Sequence, residues 1–146
     1  MRRVLTFGFA TLAAAAAIAG HAIAQDDVIA VRQALMKDNG AQATIAGKMV
    51  RGDTPFDAAA AKAAMEKIAA NAATIPADFP EGSAGGDALP TIWENWPDFE
   101  AKAAALKTAA DAAAAAADQG AEAFGPAFGA VGQACGACHQ SYRKPS

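Results

Sequence analysis

Apolar residues recur at helical spacing along four long segments of the chain. In the first segment they form one stripe, made of Val28, Val31, Leu35, Met36, Ile45 and Met49. A stripe of this kind predicts the inward face of a helix. The carboxylates of Asp26 and Asp27 can cap the start of this helix and complement its dipole. We therefore predict a first helix that begins near these aspartates and ends near Arg51 and Gly52.

The second helix is predicted from its capping residues. Thr54 fits the N-cap, Pro55 the first helical position and Asp57 the acid of a capping box. The helix should end at Pro76, because residues 76–90 are rich in proline and glycine and predict a crossover on the surface. Its inward positions are Ala61, Met65 and Ile68.

The third helix is predicted to run from about Trp96 to Gln119, where Gly120 provides a C-terminal stop. Its inward positions are Phe99, Ala103 and Leu106. The fourth helix is predicted from about Pro126 to Arg143. One broad face of it carries Phe124, Phe128, Val131, Cys135, Cys138 and Tyr142. The sequence is thus that of an all-α protein with four helices.

Composition agrees with this assignment and limits the function. The chain is alanine-rich and poor in β-branched residues, which favours helices and leaves a core of small side chains. Its length supports one domain. The formal net charge of −3 argues against nucleic acid as a partner. No Ser/His/Asp set or pair of acids stands out, so we expect no enzyme activity.

The pattern C-x-x-C-H occurs once, at Cys135, Cys138 and His139, and is typical of covalent haem c attachment. On a helix, two cysteines three residues apart share a face, so both can form thioether bonds to the vinyl groups of one porphyrin. His139 follows one turn after Cys135 and can direct its ring toward the iron from the same face. A buried porphyrin would also supply the apolar volume that the alanine-rich core lacks.

Other interpretations of the motif remain open. A thioredoxin-like redox pair belongs near a βαβ pattern, and this sequence has none. A structural zinc site needs four ligands, whereas the motif supplies three. Chance occurrence is the remaining alternative.

The fourth helix also carries a stripe of glycines, at Gly125, Gly129, Gly132 and Gly136. Glycine inside a helix costs about 0.5–1 kcal/mol relative to alanine, so four in one stripe suggest close approach of haem or of a neighbouring helix. The alternative is that small residues are simply tolerated there.

The first 24 residues have the organisation of a secretory signal peptide. Arg2 and Arg3 give a positive start, an apolar stretch follows, and Ala22 and Ala24 supply an A-x-A cleavage site. We predict a mature domain of residues 25–146 in the periplasm, an oxidising compartment. An uncleaved membrane anchor is the alternative.

The chain resembles the class II c-type cytochromes, that is, cytochrome c′ and its low-spin relatives. The resemblance covers the mature chain and rests on residues 32–36 (RQALM), residues 88–93 (ALPTIW) and the motif followed by Tyr142 and Arg143. It implies an antiparallel four-helix bundle with one haem c covalently bound near the C-terminus. It also implies that His139 is the proximal iron ligand.

Three further haem contacts are implied by the resemblance. Arg32 resembles an arginine that pairs with a haem propionate, the alternative being an ordinary solvated helix arginine. Arg143 resembles the basic residue one turn after the iron ligand, although a cation at a helix C-terminus needs no such explanation. Trp93 resembles an aromatic residue that packs on haem, with plain core packing as its alternative.

Met36 occupies the position where this family presents a side chain to the open face of the iron. In the low-spin relatives a methionine there binds the iron, whereas in high-spin cytochrome c′ an apolar residue leaves the iron five-coordinate. A thioether ligand favours electron transfer and raises the potential. We therefore expect Met36 to be the sixth ligand, the alternative being that it fills the distal pocket.

Two functions follow from these expectations. The first is a periplasmic electron carrier that serves periplasmic or membrane-bound redox proteins. The second is a five-coordinate protein that binds nitric oxide or carbon monoxide at the distal haem face. By analogy with the family, the chain is also expected to form a homodimer.

Overall fold

The computed structural model describes residues 15–145 of the 146-residue chain, with side chains from residue 27 onward. Its helices are α1 (Ala15–Val50), α2 (Ala58–Thr74), α3 (Thr91–Glu94), α4 (Trp96–Ala117) and α5 (Ala121–Tyr142), and a 3-10 helix covers Ile75–Asp78. The four long helices form an antiparallel bundle, which confirms the predicted fold class. Across the described range, β structure is limited to isolated bridges.

The bundle is packed unevenly. The most extensive contacts join α2 to α4 and α4 to α5, and α1 also packs on α2. The fourth neighbouring pair, α1 and α5, is much looser. A gap therefore remains between the first and last helices, and the crossover that follows α2 closes part of it.

The core is built mainly from alanine, which allows the helices to approach closely. Ten of its buried residues are alanines, and the largest fully buried side chains are Phe124, Met65, Ile68, Ile92 and Val131. The inward positions predicted for the second and third helices are all buried. In these two helices the apolar periodicity predicted the packed face correctly.

The inward stripe predicted for the first helix is partly wrong. Val31 and Ile45 are 52% and 43% exposed, whereas Arg32 and Ala46 are buried. The packed face of α1 is therefore rotated away from part of its apolar stripe. The physical reason is that the crossover supplies hydrogen-bond acceptors to Arg32, which makes a polar position the buried one.

Three predicted helix starts also change. The first helix runs through Asp26 and Asp27 instead of starting there, because the alanine-rich residues before them are strong helix formers. The second begins after Asp57, whose Oδ1 accepts from the backbone N–H of Ala60 at 3.0 Å. Thr54 lies in the preceding turn, so Asp57 is the cap.

The fourth helix begins at Ala121 and therefore contains Pro126, which was the predicted start. Pro126 is the sixth helical residue, so its missing N–H costs one helical hydrogen bond. Gly120, with φ of 99°, forms the turn between α4 and α5. The predicted stop of the third helix is thus correct to within three residues.

The crossover is folded more tightly than a surface loop. It contains the 3-10 helix and α3, and it buries Phe79 and Ser83. These two side chains turn inward toward α1, so the crossover forms one wall of the gap between α1 and α5.

No helix in the range 15–145 is both long and apolar enough to cross a membrane. The charged start of the predicted signal peptide and most of its apolar stretch lie outside the described residues.

The N-cap assignment is testable. We expect Asp57→Ala to lower the free energy of unfolding by about 0.5–2 kcal/mol, because the N–H of Ala60 loses its acceptor. The measurement is urea denaturation followed by circular dichroism. Thr54→Ala is the matched control and should have little effect. A larger loss for Thr54→Ala than for Asp57→Ala would restore the cap predicted from the sequence.

Candidate functional site

A cavity of about 450 Å³ occupies the gap between α1, α5 and the crossover. Its size is within the range of about 300–1,000 Å³ that is usual for cofactor pockets. The residues that line it are Ile29, Arg32, Gln33, Met36, Gly40, Phe79, Gly85, Gly86, Asp87, Ala88, Ile92, Cys138, His139, Tyr142 and Arg143. Five of the seven site residues predicted from the sequence are among them.

The two cysteines belong to one half-buried face of α5. Cys138 lines the cavity, and Cys135 lies one turn earlier, outside its lining. Burial raises the pKa of both thiols, and for Cys138 the positive charge of Lys102 opposes this effect. Both groups are therefore neutral thiols near pH 7.

His139 lines the cavity in the form that a metal requires. Burial, and secondarily the positive charge of Arg143, lower the pKa of its imidazole. A neutral imidazole keeps one ring nitrogen free to bind a metal ion. Nη1 of Arg143 lies 3.5 Å from Nδ1, and the Arg143 residue is exposed at the end of α5. If Nε2 of His139 bound a metal ion, Nδ1 would carry the ring proton. Nη1 of Arg143 and Nδ1 would then both be donors, so Arg143 would need another acceptor.

Met36 lies on the α1 wall of the cavity, whereas His139 lies on the α5 wall. Met36 is half-buried, and its thioether sulfur is a soft ligand suited to iron in haem. Met49 and Met65 do not line the cavity. The structure therefore brings together the two residues that were expected on opposite sides of the iron.

Arg32 is buried, with 5% of its surface exposed, so its interpretation as a solvated helix arginine is wrong. Nε donates to the carbonyl of Asp78 at 2.6 Å and Nη1 to the carbonyl of Ser83 at 2.8 Å. Nη2 donates to Oγ of Ser83, and the guanidinium carbon lies 4.2 Å from the centre of the Phe79 ring. Arg32 thus fastens the crossover to α1.

The same arginine brings positive charge to the cavity. Burial lowers the pKa of Arg32, and the charge of Asp78 opposes this effect. The pKa of arginine is normally so high that the group stays charged. A guanidinium has five N–H donors, of which the crossover uses three. The remaining donors suit a carboxylate.

Trp93 does not line the cavity. Its indole N–H donates to the carbonyls of Phe79 and Pro80, at 3.1 and 3.0 Å, and its ring centre lies 6.5 Å from that of Phe79. The structure therefore places Phe79 on the cavity wall and Trp93 behind it. This arrangement favours the packing interpretation of Trp93.

Sequence reasoning missed Phe79, Gln33 and Tyr142 as cavity residues. Phe79 was detectable as an aromatic residue within a segment of prolines, glycines and acids. Gln33 follows Arg32 directly, and an arginine that turns inward brings its neighbour to the edge of the cavity. Tyr142 had been placed on the inward face of the last helix without a role.

Backbone pairing with the C-terminal segment holds the far end of the crossover. The N–H of Leu89 donates to the carbonyl of Tyr142 at 3.0 Å, and the N–H of Lys144 donates to that of Asp87 at 2.9 Å. Gly86 has φ of 59°, and a Cβ there would lie 3.1 Å from Cγ2 of Ile29. Glycine therefore lets the crossover approach α1 closely at the cavity edge.

The glycine stripe of α5 has no protein neighbour. A Cβ at Gly125, Gly129, Gly132 or Gly136 would meet no heavy atom within 4 Å. The expectation that another helix packs closely on this stripe is therefore wrong, and close approach of haem stays a prediction. On α1, by contrast, a Cβ at Gly47 would lie 3.0 Å from Nη1 of Arg51 and 3.8 Å from the ring of Phe128 on α5.

These residues fit haem c. The cavity offers two neutral thiols nearby, a neutral imidazole, a thioether on the opposite wall and positive charge for propionates. The zinc alternative has no support from the geometry, because residues 27–145 contain no group of three or more His, Cys, Asp or Glu side chains arranged to hold a metal ion.

The chain is similar to known cytochromes in sequence and in structure. The family model described as Cytochrome C' matches residues 27–143. A cytochrome c-556 from Agrobacterium fabrum is 43% identical over 113 residues, which cover 77% of each chain. A cytochrome c' from Rhodopseudomonas palustris is 37% identical over 130 residues, covering 85% of this chain and 86% of that protein. The solved structure of recombinant native cytochrome c prime from Alcaligenes xylosoxidans superposes with a TM-score of 0.77 at 34% identity, covering 83% of this chain and 97% of that one.

The exposed glycines provide a stability prediction. We expect Gly129→Ala to raise the free energy of unfolding by about 0.5–1 kcal/mol, because alanine is the better helix former and nothing blocks its methyl group. Denaturant unfolding of the holoprotein measures this. Gly47→Ala is the contrasting variant and should gain less, since Arg51 must move. A destabilised Gly129→Ala would show that another group packs on the stripe.

Tyr142 provides a pH-dependent prediction. Its hydroxyl donates to Oδ2 of Asp98 at 2.5 Å, and burial together with this carboxylate raises the pKa of Tyr142 to about 12. Hydrogen bonds from Tyr142 and Lys102 lower the pKa of Asp98. The stabilisation due to Asp98 is thus present above its unfolded pKa of about 3.9 and is lost as the pH falls through its lower folded pKa.

We therefore expect Tyr142→Phe to destabilise the protein at pH 7 and to do so less as the pH falls toward 3. The measurement is the free energy of unfolding of both proteins across that range. In an Asp98→Asn background the effect of Tyr142→Phe should not depend on pH. A pH-dependent effect in that background would assign the titration to another group.

Proposed function

The chain belongs to the cytochrome c′ family, and on that basis we propose that it carries electrons through one haem iron that has Met36 as its sixth ligand. Proteins of this family bind haem c covalently, and this chain is a haem c-type cytochrome. The observation that carries the proposal is that Met36 and His139 line one cavity from opposite helices.

Cys135 and Cys138 hold the porphyrin. Each thiol would form one thioether bond to a vinyl group, with its hydrogen passing to the other vinyl carbon, so that no oxidant would be consumed. The i, i+3 spacing on α5 places both thiols on one face for these bonds. His139 would bind the iron through Nε2 and keep its proton at Nδ1.

Haem supplies the one-electron Fe(III)/Fe(II) couple. The surrounding residues set its potential through axial ligation, burial and nearby charge. Arg32 would direct its remaining donors to one haem propionate, and Arg143 would be available to the other. Trp93 acts indirectly, because it holds Phe79 against the cavity. No catalytic residues are proposed.

Gas binding is the second candidate function. A variant of cytochrome c prime from Alcaligenes xylosoxidans has been solved as a nitric oxide complex, and Met36 of this chain is only half-buried on a flexible side chain. If Met36 fills the pocket without binding iron, the distal face is open to nitric oxide or carbon monoxide.

The setting we propose is the periplasm, with residues 1–24 removed as a signal peptide. The proposed partners are periplasmic or membrane-bound redox proteins and a second copy of this chain. Val31, Ile45 and Val50 form exposed apolar surface on α1, and pairing through α1 and α2 would cover it.

Substitution of Met36 decides between the two functions. We expect the ferric protein to be low-spin and to show a charge-transfer band at the red end of its optical spectrum. In Met36→Leu the band should disappear, the iron should become high-spin, and the reduced form should bind carbon monoxide readily. Met49→Leu is the matched control on the same helix and should keep the wild-type spectrum. If the wild-type protein is already high-spin, Met36 does not bind the iron, and gas binding becomes the better-supported function.

A further inference from the structure

A second open cavity, of about 420 Å³, lies next to Phe79. We call it the tryptophan groove, and its lining is Pro76, Phe79, Pro80, Glu81, Trp93 and Trp96. Phe79 lines both cavities. The Phe79 ring therefore contacts the space of both cavities.

The walls of the groove are fixed in place. Two carbonyls hold the indole N–H of Trp93, and the ring centres of Trp96 and Phe79 lie 5.5 and 4.9 Å from that of buried Phe99. Proline adds backbone rigidity at two further positions. Preformed aromatic surface of this kind binds partners at a small entropic cost and is enriched at the centres of protein interfaces.

Two unpaired carboxylates give the groove region a negative charge. Glu81 lines the groove, and exposed Glu94 lies between the two tryptophans in the sequence. Neither carboxylate has an ion-pair partner among residues 27–145. The haem cavity instead carries both signs of charge, because Asp87 and Arg143 both line its wall.

A small organic cation is a poor occupant of the groove. The buried guanidinium of Arg32 already lies 4.2 Å from the ring centre of Phe79 and 5.6 Å from that of Trp93. Two of the three aromatic rings therefore already interact with a cation. A large surface that spreads its positive charge around the groove is better matched to Glu81 and Glu94.

We propose that the tryptophan groove is the docking site of a basic redox protein and that Phe79 couples that partner to the haem. An apolar side chain of the partner packs between the tryptophans, and its lysine or arginine residues face Glu81 and Glu94. One electron passes from the reduced centre of the partner to Fe(III), giving Fe(II), and no proton or bond is exchanged. This inference rests on the proposed electron-carrier function.

The first experiment locates the docking site without electron transfer. Hexaamminechromium(III), a paramagnetic cation, is titrated into the reduced ¹⁵N-labelled holoprotein. We expect it to broaden the indole N–H signals of Trp93 and Trp96 first. Hexacyanochromate(III), the matching anion, should spare them. Broadening by the cation elsewhere, with both indole signals sharp, would overturn the proposal.

The second experiment measures reaction rates with small redox reagents of opposite charge. In Glu81→Gln/Glu94→Gln, the rate constant for reduction by hexaammineruthenium(II) should fall about threefold to tenfold at low ionic strength. The rate constant with hexacyanoferrate should change by less than about twofold. Glu122→Gln is the matched control, since it removes an exposed carboxylate in the first turn of α5, at the other end of that helix from His139. It should leave both rate constants unchanged.

The outcomes separate the docking site from the function. Suppose that hexaammineruthenium(II) reduces wild type and Glu81→Gln/Glu94→Gln with equal rate constants and that cyclic voltammetry is reversible. The docking site would then be wrong, and the electron-carrier function would still stand. A holoprotein that does not cycle reversibly between Fe(III) and Fe(II) would overturn both.

Discussion

The position of the crossover depends on the buried guanidinium of Arg32. Removing a charged group from water is costly unless its hydrogen bonds are replaced, and here two carbonyls, one hydroxyl and an aromatic face replace them. The bonds reach both Asp78 and Ser83, so they fix the segment between these residues over α1. Phe79 then forms the cavity wall, and Trp93 packs behind it. One side chain thus shapes both the haem cavity and the tryptophan groove.

Uneven packing of the bundle leaves a gap between α1 and α5, which the crossover closes on one side. Alanine lets α2 and α4 approach closely, but it cannot fill the wider space between α1 and α5. The open cavity of about 450 Å³ exposes apolar side chains of α1, α5 and the crossover to solvent, which is unfavourable. A bound porphyrin fills such a space with apolar surface. The same small residues that weaken the side-chain core therefore create room for the cofactor.

Local signals in the sequence were sufficient for the number of long helices, for the packed faces of α2 and α4 and for the haem-attachment motif of α5. Met65, Ile68 and Phe99 follow helical periodicity and are buried, and the C-x-x-C-H spacing identifies its own chemistry. Arg32 was placed on the site only by resemblance, because a periodicity analysis counts arginine as polar and assigns it to solvent. Its burial depends on carbonyls about 50 residues away, which no local pattern encodes. The cap at Asp57 was misplaced for a smaller reason: Thr54, Pro55 and Asp57 satisfy the rules for two competing starts, and only the donor at Ala60 distinguishes them.

The two roles of Arg32 cannot be separated by a simple substitution. A fixed positive charge beside the cavity disfavours Fe(III), which carries one more positive charge than Fe(II), and so raises the potential in the same direction as a thioether ligand. A neutral residue at this position would remove that charge and would also leave the carbonyls of Asp78 and Ser83 without donors. Lysine would keep the charge, but its compact ammonium lacks the planar set of donors that reaches both carbonyls and the ring of Phe79. Potential and crossover geometry are therefore coupled through one guanidinium, so selection on either property also constrains the other.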